Sequence, residues 1–75
     1  MNEKLVEIVA ELFELDPAAV DDALTPEDVE LWDSMNHLRL VSAVEEEFQI
    51  KLSMREIESI RSLATLRALI EQRAS

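Results

Sequence analysis

Apolar residues recur along the chain with helical rather than strand spacing. Leu5, Ile8, Val9, Leu12 and Phe13 follow the i, i+3, i+4, i+7, i+8 pattern of a helix with one buried face. Asn2 can cap its start and Asp16-Pro17 marks its stop, which predicts a first helix over residues 3–15. A second pattern runs from Met35 to Phe48, with Leu38, Val41, Val44 or Glu45, and Phe48 in step, Leu40 at the flank, and Asp33 or Ser34 as the cap. Ser53-Met54-Arg55-Glu56 fits a capping box. It opens a short helix to about Ile60, with Met54, Ile57 and Ile60 expected inward. Ser62 can cap a last helix striped by Leu63, Leu66, Leu69 and Ile70.

Between the first two helices, residues 16–33 carry turn chemistry: Asp-Pro, Asp-Asp and Thr-Pro. Thr25-Pro26-Glu27-Asp28 could start one short helical turn. Val20, Leu24, Val29, Leu31 and Trp32 are apolar enough to pack this connection down, so an ordered loop is expected. The chain has no Gly, which argues against tight hairpins that need positive φ. The expected fold is all-α: a four-helix bundle with three longer helices, a short third helix and a long loop between helices 1 and 2.

At 75 residues there is room for one domain, and a core of this size leaves a margin of typically ~3–5 kcal/mol. With no Cys, no disulfide adds to it. The net charge is −10, and it is one-sided. Residues 1–33 hold eleven acids against Lys4 alone, whereas residues 34–75 hold six acids and six bases. So acidic a chain is a poor ligand for nucleic acid or an anionic membrane. No apolar run approaches a membrane span, and residues 1–13 lack the features of a signal peptide. The expectation is a cytoplasmic, soluble monomer.

Enzyme chemistry finds little to work with. One His and no Cys leave a zinc site without ligands. Ser34 and His37 lie three apart, but no Gly-rich turn can supply an oxyanion hole. His37 is expected to face solvent or a partner. The acidic loop lacks the spacing and the Gly of an EF-hand. The run Glu45-Glu46-Glu47 opposes the helix dipole at the end of helix 2. It is either a solvated face or is kept there by something beyond helix propensity.

That leaves Trp32-Asp33-Ser34-Met35. One reading makes Asp33 or Ser34 an N-cap and Met35 a core residue. The other places a phosphate ester on Ser34, at the positive end of the helix dipole and beside free N–H groups.

Asp33-Ser34-Met35, then Leu38, Leu40 and Val41, then Val44-Glu45-Glu46-Glu47-Phe48, resembles the signature of acyl carrier proteins. Ile50, Leu52, Ile57, Ile60 and Leu63, the length and the acidity continue the resemblance. It implies that Ser34 bears 4′-phosphopantetheine, transferred from coenzyme A by a separate Mg-dependent phosphopantetheinyl transferase, and that the arm's thiol carries acyl groups as thioesters. The protein would then be a shuttle between acyl-loading and acyl-processing enzymes, not a catalyst. Asp33 and Met35 would flank the attachment point. Trp32, Met35, His37, Leu38, Arg39, Glu45, Glu46 and Arg55 would form the partner surface, and residues 54–60 would border the acyl cavity with helix 2.

The chain departs from the family pattern in places. Leu31-Trp32 stand where a Gly usually precedes the Asp-Ser; Trp32 is either packed under the loop or a recognition feature for partners, and the packing role is preferred. Arg39, Arg55 and Arg61 occupy faces that are usually acidic in fatty-acid carriers. Such charges would repel the basic patches of housekeeping fatty-acid enzymes. The expectation is a freestanding, single-domain carrier, residues 1–75, in a specialised polyketide-like or hydroxyacyl pathway. Aminoacyl, D-alanyl or housekeeping fatty-acid carriage are the alternatives, and a helical interaction module without a prosthetic group is a remote one.

Overall fold

The computed structural model describes residues 2–74, with the side chain of Ala74 outside the description. Four helices carry the fold: α1 (Glu3–Phe13), α2 (Ser34–Phe48), α3 (Met54–Ser59) and α4 (Leu63–Ala74). A 3-10 turn at Pro17–Ala19 interrupts the α1–α2 loop, and there is no strand among the described residues. The molecule measures 27 × 23 × 19 Å.

Local chemistry starts the helices where expected. The Asn2 carboxamide oxygen accepts from the Lys4 and Leu5 N–H groups at 2.7 and 3.3 Å. The Ser53–Glu56 capping box is closed in both directions, at 3.1 and 2.9 Å. The Ser53 N–H holds the Glu56 carboxyl below the usual glutamate range, against the opposing effect of burial and with further help from the charge of Arg73. A depressed carboxyl stabilises the fold at neutral pH and loses that contribution as pH falls through its folded value. An NMR titration should therefore place the Glu56 carboxyl below its ordinary 4.5.

Helix ends depart from expectation. α1 stops at Phe13, not near residue 15, and Asp16 instead caps the 3-10 turn through the Ala18 N–H at 2.9 Å. Glu14 and Gln49 adopt left-handed φ values of 55° and 57°. The next N–H in each case, Leu15 and Ile50, reaches back to the Ala10 and Glu45 carbonyls at 2.9 and 3.1 Å, forming Schellman ends. Two positions that favour Gly are thus filled by side chains that bear the strain. Thr25–Asp28 forms a hydrogen-bonded turn, not a helix.

The core joins Leu5, Val9 and Phe13 of α1, Leu40, Val41 and Val44 of α2, and Leu63, Leu66 and Ile70 of α4. The buried stripe of α2 runs through Leu40, two residues on from the expected Leu38 and on nearly the opposite face, and Leu38 lies in solvent. α3 buries no residue fully. Its Met54, expected inward, is 65% exposed, because a first-turn residue of so short a helix projects past the bundle; Ile57 is half-buried, and Ile60, just past the helix, is buried.

Val20, Val29 and Trp32 bury the long loop, as its apolar content predicts. Its backbone also caps α4. The Leu24 and Asp22 carbonyls accept from the Leu63 and Ala64 N–H groups, both at 3.0 Å, satisfying donors that a helix start leaves open. The Asp22 carboxylate then pairs with Arg67, which also reaches Glu71. These bonds, Asp22 first, push the Arg67 guanidinium above its usual range.

Among the described residues, Asp22 is the one acid of the N-terminal half held in an ion pair. The rest of that acidity is unneutralised and self-repelling. Raising NaCl from low to near-molar concentration, or adding a divalent cation, should therefore raise Tm by several degrees, as scanning calorimetry can check. No rise would mean that the acids are compensated within the fold.

Candidate functional site

The site is a helix start built by its own side chains. Asp33, extended at φ −100°, ψ −176°, caps α2. Its carboxylate accepts from the Asn36 N–H at 2.8 Å, and its carbonyl accepts from the His37 N–H at 2.8 Å. Asn36 then closes the turn from the other side, its amide donating to the Leu31 carbonyl at 2.7 Å. Asn36 was not among the expected site residues, although a short carboxamide in a first helical turn is a local cue for such a bond.

Ser34 therefore occupies the first helical position, not the cap. It is exposed, and among the described residues nothing bonds its hydroxyl. The Ser34 and Met35 N–H groups are likewise without a protein partner, as a helix start allows. The turn thus offers a free hydroxyl beside free donors and the positive end of a 15-residue helix, which suits a phosphodiester. On these counts the residues fit the phosphate end of a pantetheine arm.

Two candidate partner residues turn out to be tied into the fold. Trp32 is 4% exposed and stacks on Phe13, ring centroids 5.3 Å apart. Its burial removes it from any partner surface and gives it the packing role beneath the loop. His37 is half-buried and stacks beside Trp32 at 6.2 Å. The indole N–H donates to His37 Nδ1 at 2.9 Å, and His37 Nε2 lies 3.0 Å from the Ile57 carbonyl. An acceptor at Nδ1 leaves the ring proton on Nε2, so His37 donates to Ile57. It bridges the serine-bearing turn to α3 and does not face solvent freely.

Glu45 is a third. Half-buried, its carboxylate accepts from the Leu52 N–H at 2.8 Å and fastens the α2–α3 connection. That bond explains an acid kept against the helix dipole. Glu46 is exposed. Met35 and Leu38 are exposed by 63% and 54%, on the α2 face that leads away from Ser34. Arg39, Arg55 and Arg61 are exposed and, among the described residues, in no ion pair. Ser34, Asp33, Met35, Leu38 and Arg39 are thus brought together on the start of α2. No cluster of residues among those described could hold a metal ion.

The sequence model of the family described as "Phosphopantetheine attachment site" matches residues 3–70. The chain belongs to that family. It is a carrier protein of the acyl-carrier type, its prosthetic group is a covalently attached 4′-phosphopantetheine, and separate enzymes modify it. Among solved structures, the fold is similar to that of a holo acyl carrier protein from Geobacter metallireducens. The TM-score is 0.83 at 23% identity, covering 92% of this chain and 79% of that one. None of the curated proteins matches. In this carrier, no described helix is long and apolar enough to cross a membrane.

Proposed function

We propose that Ser34 is the attachment residue, and that the protein is an acyl carrier of a specialised pathway handling polyketide-like or hydroxyacyl intermediates. The observation that carries the reading is the free, exposed Ser34 hydroxyl at the start of α2, with Asp33 and Asn36 fixing the turn around it. When bound, the arm supplies a thiol that holds cargo as a thioester. The chain's own residues do the rest. The helix start favours the phosphodiester charge, Asp33 presents an exposed carboxylate beside Ser34 to the transferase, and exposed Met35 and Leu38 offer apolar contact to partner enzymes.

Arg39 and Arg55 support the specialised assignment, because they would set exposed cations on the proposed partner face of an otherwise acidic protein. Glu46 completes that face. The proposed setting is the cytoplasm, with residues 1–75 acting as one monomeric carrier domain that binds neither nucleic acid nor membrane.

Intact mass after incubation with coenzyme A, Mg²⁺ and a broad-specificity phosphopantetheinyl transferase tests the attachment. The parent should gain one phosphopantetheine group and Ser34→Ala none, with unchanged helicity. A gain on the Ser34→Ala variant would place the attachment elsewhere.

A further inference from the structure

The Trp32–His37–Ile57 chain has a consequence for cargo. A surface recess of about 320 Å³ lies at the attachment serine, lined by Pro26, Trp32, Asp33, Ser34, His37 and Glu58. Of these, Trp32 stacks on Phe13 within the core. His37 stands at this opening and crosses from the serine-bearing turn to α3, a helix that buries none of its own residues fully. An apolar chain tethered at Ser34 and leaving water would meet the core first here.

We propose that His37 is a latch. Its two hydrogen bonds hold α3 against the start of α2, and their release lets tethered apolar cargo pass from the recess into the core. The cargo half of this inference rests on Ser34 carrying the arm; the latch itself does not. The latch acts by position, through Trp32 and Ile57, and no bond to cargo is required.

Three substitutions separate its parts. His37→Phe keeps a ring but loses both bonds. His37→Asn retains an acceptor for the indole but loses the donor to Ile57. His37→Gln can still reach the Ile57 carbonyl with an N–H.

Amide hydrogen exchange on the unmodified protein reads α3 through the Ile57 and Ile60 N–H groups, bonded to the Ser53 and Ile57 carbonyls. In the Phe and Asn variants both should exchange about ten-fold faster relative to the slowest amides of α1 and α4, the equivalent of one lost hydrogen bond. The Gln variant should stay near the parent. Unchanged α3 exchange, or an equal rise in every helix, overturns the latch. If the Phe variant does not fold, the Asn and Gln pair carries the test.

The cargo half is read on protein loaded from hexanoyl-coenzyme A by the transferase. The thioester of the Asn variant should react several-fold more slowly with added mercaptoethanol than that of the parent. Equal rates would leave His37 a structural brace and overturn the gating. A Ser34→Ala protein that still accepts the arm would instead refute the Ser34 assignment while the exchange result still stands.

Discussion

Trp32→Ala should leave the domain largely unfolded at 37 °C. The side chain is 4% exposed, stacks on Phe13 at 5.3 Å and donates to His37 at 2.9 Å. Truncating a buried Trp to Ala costs about 3–5 kcal/mol, from lost transfer energy and the cavity left behind. A bundle of this size has a total margin of about the same amount, and no disulfide adds to it. Far-UV circular dichroism against urea should show the parent's transition and, for the variant, one near or below zero denaturant. Trp32→Phe should keep the stack and lose only the indole donor and part of the volume, for about 1–2 kcal/mol. A parent-like midpoint in Trp32→Ala would mean that the loop, not the indole, closes this end of the core.

The second large effect concerns partners. Arg39 and Arg55 are exposed and in no ion pair among the described residues, so each acts on an incoming enzyme mainly through charge. Arg39→Glu with Arg55→Glu changes the local charge by four units. With a fatty-acid-synthesis enzyme whose docking patch is basic, the double variant should raise kcat/KM about ten-fold at low salt, at roughly 0.5–1 kcal/mol per exposed contact. The gain should fall away as salt is raised. Arg39→Glu alone should give part of it. Unchanged kinetics for both variants would remove the charge argument for a specialised pathway.

What could be read from sequence was what local chemistry encodes. The helical stripes of α1 and α4, the Asn2 cap and the Ser53–Glu56 box each depend on residues within a turn or two of one another. The bond from His37 to Ile57 spans 20 residues and ends on a carbonyl, which every residue possesses, so no side-chain pattern announces it. The same holds for Glu45 and the Leu52 N–H. Leu38 and Leu40 both fit a stripe with Val41 and Val44; only the placement of α1 and α4 decides which one is buried. The left-handed ends at Glu14 and Gln49 are unmarked for a related reason, since a chain without Gly carries no cue to them. For the site, Asp33-Ser34 marks the turn and the packing of Trp32 under the loop is legible too, but the inward orientation of His37 depends on Trp32 and α3 lying behind it.

The carbonyls of Asp22 and Leu24 that cap α4 bear on when the protein becomes a substrate for its own modification. A chain that has not yet docked its last helix has no Leu63 and Ala64 donors in place to hold the loop. Until then the segment leading into Asp33 lacks this fastening, and the turn at Ser34 rests on its own Asp33 and Asn36 bonds alone. If Ser34 carries the arm, as proposed, a transferase that reads this loop would meet it in order only after α4 has docked.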